Sequence, residues 1–145
     1  MGLLRVPYRV IFGDTDALGI MYYANYLRLL DSGRTEWFRT YSLAPRAMFE
    51  EAEYCIVIVE THLEHKRPAR FDDELVIELW LNRKWVKNAS IRFDYRIYGA
   101  DGEVCVMGYT RHAFVNRAGV LKRPPRDYLD SLRNQALERE YKDHA

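Results

Sequence analysis

The spacing of apolar and polar positions changes period twice along the chain. Leu4 to Phe12 alternates, with Val6, Tyr8, Val10 and Phe12 on one parity and Arg5, Pro7 and Arg9 on the other. A period of two predicts a strand with one buried face. Pro7 cannot donate to a ladder, so it suits an edge or end of a sheet better than its centre. Gly13 to Gly19 is turn-like, and Gly19 can adopt a positive φ. From Tyr23 to Tyr41 the spacing becomes helical, stepping by three and four through Tyr26, Leu27, Leu30, Gly33 and Trp37. Leu29 and Phe38 widen this stripe beyond that of a simple surface helix. At 1.5 Å per residue the helix is roughly 28 Å long.

Ser42 to Glu53 reads as a loop or short helix around Pro45, anchored by Met48 and Phe49. Four strands are predicted after it. Tyr54–Glu64 is apolar on both parities in its first half, and Leu75–Val86 sets Leu75, Ile77, Leu79 and Leu81 on one face. Ala89–Tyr98 opposes Ile91, Phe93, Tyr95 and Ile97 to Ser90, Arg92, Asp94 and Arg96, and Glu103–Val115 follows the turn at Gly99–Gly102. Tyr128, Leu129, Leu132 and Leu137 predict a short terminal helix, and the charged residues up to 145 read as a fraying tail. The order β, long α, then four strands is an α+β solution. The helix has too much apolar surface to lie outside, so the mainly antiparallel sheet of about five strands must curl around it.

Composition narrows the class of protein. A chain of 145 residues fits one domain, residues 1–145, large enough to build its own core. A formal net charge of +1 argues against a general nucleic-acid binder. Cys55 and Cys105 have no metal-ligand spacing and read as free thiols in a reducing cytoplasm. The opening residues form neither a signal peptide nor a membrane span.

The chemistry concentrates between Phe12 and Tyr26, where Asp14 and Asp16 stand at the strand–helix junction. A calcium loop would need oxygen ligands further on and a bidentate Glu at its twelfth position, which here is Asn25. Both carboxylates could simply order a turn or cap the helix. Alternatively, one could attack a thioester carbonyl or activate water, while an N–H near Tyr23 at the helix start polarises the carbonyl oxygen. One such donor is worth about 3–4 kcal/mol in oxyanion holes generally. His62 and His65 would point to opposite strand faces, which disfavours a metal site. His112 on the last strand could enter a cleft, but a hydrogen-bonded structural histidine is the commoner case. Tyr22, Trp80, Trp85 and Tyr109 suit either packing, the commoner role, or the walls of an acyl pocket.

Gly13-Asp14-Thr15-Asp16, Gly19-Ile20 and Tyr22-Tyr23-Ala24-Asn25-Tyr26 together resemble the active-site segment of the hot-dog-fold acyl-CoA thioesterases of the 4-hydroxybenzoyl-CoA thioesterase type. The resemblance extends to the strand–helix–strand order and ends near Pro124-Pro125. It implies that Asp16 is the catalytic carboxylate and that the Tyr23 backbone N–H polarises the carbonyl, with Asp14, Gly19 and Asn25 in support. The related envelope-associated thioesterases carry a histidine where this chain has Tyr23, whereas tyrosine occurs there in the 4-hydroxybenzoyl type. The resemblance also implies an acyl-CoA substrate, no metal or redox cofactor, and a homodimer or homotetramer with the site at a subunit boundary. Coenzyme A phosphates would meet Lys or Arg side chains. Lys87 with Arg83 and Lys84 is the first cluster of candidates, and Lys122 with Arg123 is the second. Two other classes share the fold: an acyl-carrier dehydratase, which would need a histidine beside the carboxylate, and a non-catalytic acyl-CoA binder.

Overall fold

Five strands make one antiparallel sheet in the order β1-β3-β4-β5-β2. In the computed structural model, which describes residues 2–42 and 53–143, they are β1 (Leu3–Arg9), β2 (Cys55–His65), β3 (Glu74–Leu81), β4 (Ser90–Tyr98) and β5 (Val104–Val115). Helix α1 (Tyr26–Tyr41) lies between β1 and β2 in sequence, and α2 (Arg126–Gln135) follows β5. Pro7 falls on edge strand β1, opposite Val76, as its missing N–H requires.

The inner face of the sheet carries the expected alternating residues. Ile91, Phe93, Tyr95 and Ile97 of β4 and Leu75, Ile77, Leu79 and Leu81 of β3 are fully buried. Helix α1 lies on this face. Trp37 and Phe38 both meet the Phe93 ring edge-on, with centroids 5.2 and 5.6 Å away. Gly33 lets the helix approach β3 closely, since a Cβ there would sit 3.3 Å from a Leu79 methyl group. A long helix cradled by a curved antiparallel sheet is the hot-dog architecture expected from the sequence.

The boundaries differ from the sequence reading at four places. β1 stops at Arg9, because a 3-10 turn at Phe12–Asp14 turns Phe12 outward and buries Asp14. The helical run does begin at Tyr23, but its first turn, Tyr23–Asn25, is 3-10 and the α-helix proper starts at Tyr26. β3 ends at Leu81, where the Asn82 side chain accepts the Lys84 N–H and opens a 3-10 turn at Arg83–Trp85. The expectation for Pro45, Met48 and Phe49 lies outside the described residues.

The fourth difference is the charged tail, which does not fray as far as residue 143. After α2 the chain joins the end of β3, through Leu137 N–H to Leu81 O at 2.9 Å and Arg83 N–H to Leu137 O at 2.9 Å. It then crosses the outer face of the sheet. Trp80 Nε1 donates to Arg139 O at 2.8 Å, and Arg96 Nε donates to Tyr141 O at 2.9 Å. Tyr141 N–H reaches Asp94 Oδ2 at 2.9 Å, and the Tyr141 ring is buried. Beneath it Asp94 pairs with Arg92 at 2.8 Å, and Arg92 also meets Glu140 at 2.7 Å. Composition hid this strap because its anchors are mostly backbone groups.

Candidate active site

The segment after β1 doubles back on itself. Thr15 bridges Met21, Asp16 N–H donates to Ile20 O at 2.9 Å, and Gly19, with φ of 76°, closes the turn through its N–H to Asp16 O at 3.0 Å. Ile20 then bridges Arg70, and Met21 N–H donates to Ala69 O at 2.8 Å. The turn is thereby fastened to the chain leaving β2, so residues distant in sequence share one wall.

The two carboxylates occupy different surroundings. Asp14 is fully buried; its Oδ2 accepts from Tyr8 Oη at 2.6 Å and from Ile11 N–H at 3.0 Å. Its other oxygen lacks a hydrogen bond and lies 3.7 Å from Arg28 Nη1. The Asp14 carbonyl accepts the Tyr22 N–H at 2.8 Å and Asn25 Nδ2 at 2.9 Å. Asp14 and Asn25 thus lock the strand end to the start of the helix. Asp16 is half-buried, and Oδ1 accepts the Leu18 N–H at 2.8 Å. Its Oδ2 has no hydrogen-bond partner among the described residues.

Asp16 and Tyr23 line one cleft of about 370 Å³. Ile20, Met21 and Tyr26 add apolar lining, and His65 to Pro68 contribute a further part of the wall. The Tyr22 and Asn25 N–H groups are used internally, the latter to Tyr22 O at 2.9 Å. The Tyr23 N–H, first in its helical turn, has no backbone acceptor among the described residues, as the geometry of helix starts dictates. Burial pushes the Tyr26 hydroxyl up to about 12, so it stays protonated.

Sequence reasoning missed the wall from His65 to Pro68. Nothing local links it to Asp16; the link is the Ile20–Arg70 bridge, a tertiary contact. His62 and His65 do face opposite ways. His62 stacks on Tyr109 with centroids 5.3 Å apart and bonds Glu64 at 3.0 Å, whereas His65 lies edge-on to Tyr26. Among the described residues no group of His, Cys, Asp and Glu is placed to hold a metal ion.

The basic candidates sit at the other end of the sheet from the cleft. Arg83 is committed to the end of α2, donating to Arg133 O at 3.3 Å and Ala136 O at 2.6 Å. Lys84 and Lys87 are exposed on the turn between β3 and β4, Lys122 pairs with Glu53 at 3.2 Å, and Arg123 is exposed beyond β5. His112 is buried and shares a hydrogen bond with Thr110 Oγ1 at 2.8 Å. Trp80 is a buried anchor for the strap, and Tyr109 stacks under the Arg92 guanidinium, 4.0 Å from its ring centre. Tyr22 is exposed beside Tyr23, and Trp85 lies 5.0 Å from Arg92.

A family model described as the thioesterase-like superfamily matches residues 10–132. The chain belongs to that superfamily. Acyl-CoA thioesterase YbgC of Haemophilus influenzae is 34% identical over 91 residues, which cover 63% of this chain and 65% of that protein. Acyl-CoA thioester hydrolase YbgC of Escherichia coli O6:H1 is 33% identical, over 68% of this chain and 72% of the other. Among solved structures, a probable thioesterase from Bartonella henselae superposes with a TM-score of 0.78 at 25% identity, covering 85% of this chain and 99% of that one. A hypothetical protein from Aquifex aeolicus gives 0.80 at 26% identity, over 89% and 98%. The fold is therefore that of the hot-dog thioesterases, as the segment from Phe12 to Tyr26 suggested. No helix among the described residues is long and apolar enough to cross a membrane.

Proposed function

We propose that the protein hydrolyses acyl-CoA thioesters, with Asp16 as nucleophile or general base and the Tyr23 N–H as the carbonyl-polarising donor. The observation that carries this is the shared cleft, lined by Asp16 with one carboxylate oxygen unpartnered and by Tyr23 with an uncommitted N–H. As the tetrahedral intermediate forms, negative charge develops on the carbonyl oxygen, and a fixed donor there stabilises it. Asp14 and Asn25 hold the geometry without touching the substrate. This chemistry calls for no metal or redox cofactor, and the two free thiols suit a reducing cytoplasm.

The cationic turns enter through a dimer. Within one chain they lie a β2 length from the cleft, about 36 Å for eleven residues. β2 is an edge strand, and Val57, Ile58 and Val59 on it are exposed. An apolar edge of this kind is a template for pairing with another strand. Antiparallel pairing of β2 with its copy would bring the partner's first β2 residues beside His65, and its turns with Lys87 and Lys122 toward the cleft. Lys84, Lys87 and Arg123, whose side chains make no ion pair among the described residues, are better suited to phosphates than Arg83.

The test is release of free coenzyme A from a panel of short, long and aromatic acyl-CoAs. Asp16→Asn is expected to fold normally and lose at least ~100-fold in turnover. Near wild-type turnover by the folded variant would remove Asp16 from the mechanism. His65 in the cleft gives an acyl-carrier dehydratase one supporting observation, but that reaction releases no thiol.

A further inference from the structure

We propose that His65 is a second catalytic residue, the acid that protonates the departing thiolate. The inference rests on the thioesterase reading above and adds a role that Asp16 and Tyr23 leave unfilled. A carboxylate base and an oxyanion donor promote attack on the carbonyl carbon. Neither neutralises the sulfur when the C–S bond breaks.

Position and availability favour His65. It is the last residue of β2 and lines the same cleft as Asp16 and Tyr23. Its ring rests edge-on against buried Tyr26, with centroids 5.6 Å apart and planes at 64°, which holds the imidazole without using its nitrogens. No polar group among the described residues bonds either nitrogen. Its cationic neighbours in the same wall are engaged: Lys66 lies 3.1 Å from Glu64, and Arg67 lies 3.6 Å from Asp101. The Tyr26 hydroxyl holds its proton too tightly to donate near neutrality. Among the side chains lining this cleft, an imidazole is the one whose chemistry best suits giving and regaining a proton near neutrality.

The proton balance closes without a further reactant. Water oxygen bonds to the carbonyl carbon and its proton passes to the Asp16 carboxylate. The tetrahedral species then expels sulfur, which leaves with the C–S electron pair and takes the proton from His65. The Asp16 proton returns to His65 through solvent, restoring both groups. If Asp16 attacks directly, sulfur still leaves with the proton from His65; water then cleaves the acyl–Asp16 anhydride, and the proton released as the acid product and the Asp16 carboxylate form returns to His65 through solvent.

The test compares leaving groups. His65→Gln keeps size and polarity and removes the titrating ring, and exposed His65 tolerates the change. Each enzyme is assayed with an acyl-CoA and with the same acyl group on an aryl thiol, whose thiolate departs readily unprotonated. We expect His65→Gln to lower kcat for the acyl-CoA by ~10–100-fold, the low end for general acids, and for the aryl thioester by less than ~3-fold. Asp16→Asn should lower both alike. Equal losses of His65→Gln on the two substrates would reduce His65 to a binding or packing residue, and no loss on either would remove it from the reaction. Should wild-type protein cleave neither thioester, the hydrolase reading itself falls. His65→Asn, a shorter amide, should reproduce the leaving-group dependence and guards against an effect peculiar to glutamine.

Discussion

Acid should destabilise this protein through one buried imidazole before it reaches the carboxylates. His112 is 1% exposed, with Phe93 edge-on beside it at 5.9 Å and Thr110 Oγ1 at 2.8 Å. The chain of contacts continues through Tyr95 Oη, 2.6 Å from Thr110, to the buried Arg34 guanidinium at 3.1 Å. Burial, and then the Arg34 charge, push His112 from its ordinary 6.5 down to about 3. Below pH 6.5 the unfolded chain therefore binds a proton that the native state refuses. Stability contributed by the neutral ring is full above 6.5 and is lost progressively as pH falls toward 3. At about 1.4 kcal/mol per unit, moving from pH 7.5 to 5 should cost about 2 kcal/mol. With a urea m-value of about 2 kcal/mol per molar, the unfolding midpoint would fall by about 1 M. Glu64, held down to about 2 chiefly by its hydrogen bond from His62 and then by the Tyr141 hydroxyl, responds only below about 4.5 and stays outside this window. The assay is urea unfolding of wild-type protein and His112→Gln at both pH values. The variant should lack most of this loss, while groups common to both cancel in the difference. An identical pH 7.5-to-5 loss in the two proteins would refute the reasoning.

Further predictions concern packing and the strap. Gly108→Ala would drive a methyl group into the His62 carbonyl oxygen, 1.8 Å away, and the backbone must shift to admit it. We expect a loss of about 1–3 kcal/mol or more in denaturant unfolding, with opening of the β2–β5 ladder visible in amide exchange. Asp94→Ala leaves the buried Arg92 with Glu140 as its remaining ion-pair partner among the described residues and removes the acceptor for Tyr141 N–H. It should cost about 3–5 kcal/mol and expose Arg139 and Lys142 to trypsin under native conditions.

The sequence made much of this arrangement legible for a physical reason. Alternation in β4, apolar on one parity and charged on the other, reflects a sheet with two unlike faces, and the steps from Tyr26 to Trp37 reflect a helix packed along one side. Local chemistry also marked the Asp16 turn, because a tight reversal before a helix needs Gly19 at positive φ. What stayed hidden depends on pairings between distant residues. Arg92 and Asp94 read only as members of the polar parity of β4, because no local signal says that residues near 140 return to cover them. His65 was legible only as half of a disfavoured metal pair with His62, because its place in the cleft with Asp16 depends on tertiary contacts such as the Ile20–Arg70 bridge and the Met21–Ala69 hydrogen bond. Strand order is similarly non-local: β2 pairs with β5, not with β3 that follows it.

The strap over the outer face is held largely through its main chain. Trp80, Arg83 and Arg96 donate to the carbonyls of Arg139, Ala136 and Tyr141, atoms that every residue type supplies. The main-chain anchors can thus persist while strap side chains drift in evolution, although Arg139, Glu140, Tyr141 and Lys142 also touch the sheet through their own groups, at Glu78, Arg92 and, for the last two, Glu64. Homologues could conserve this cover in space while sharing almost none of its letters, and an alignment of sequences would then end where the architecture continues.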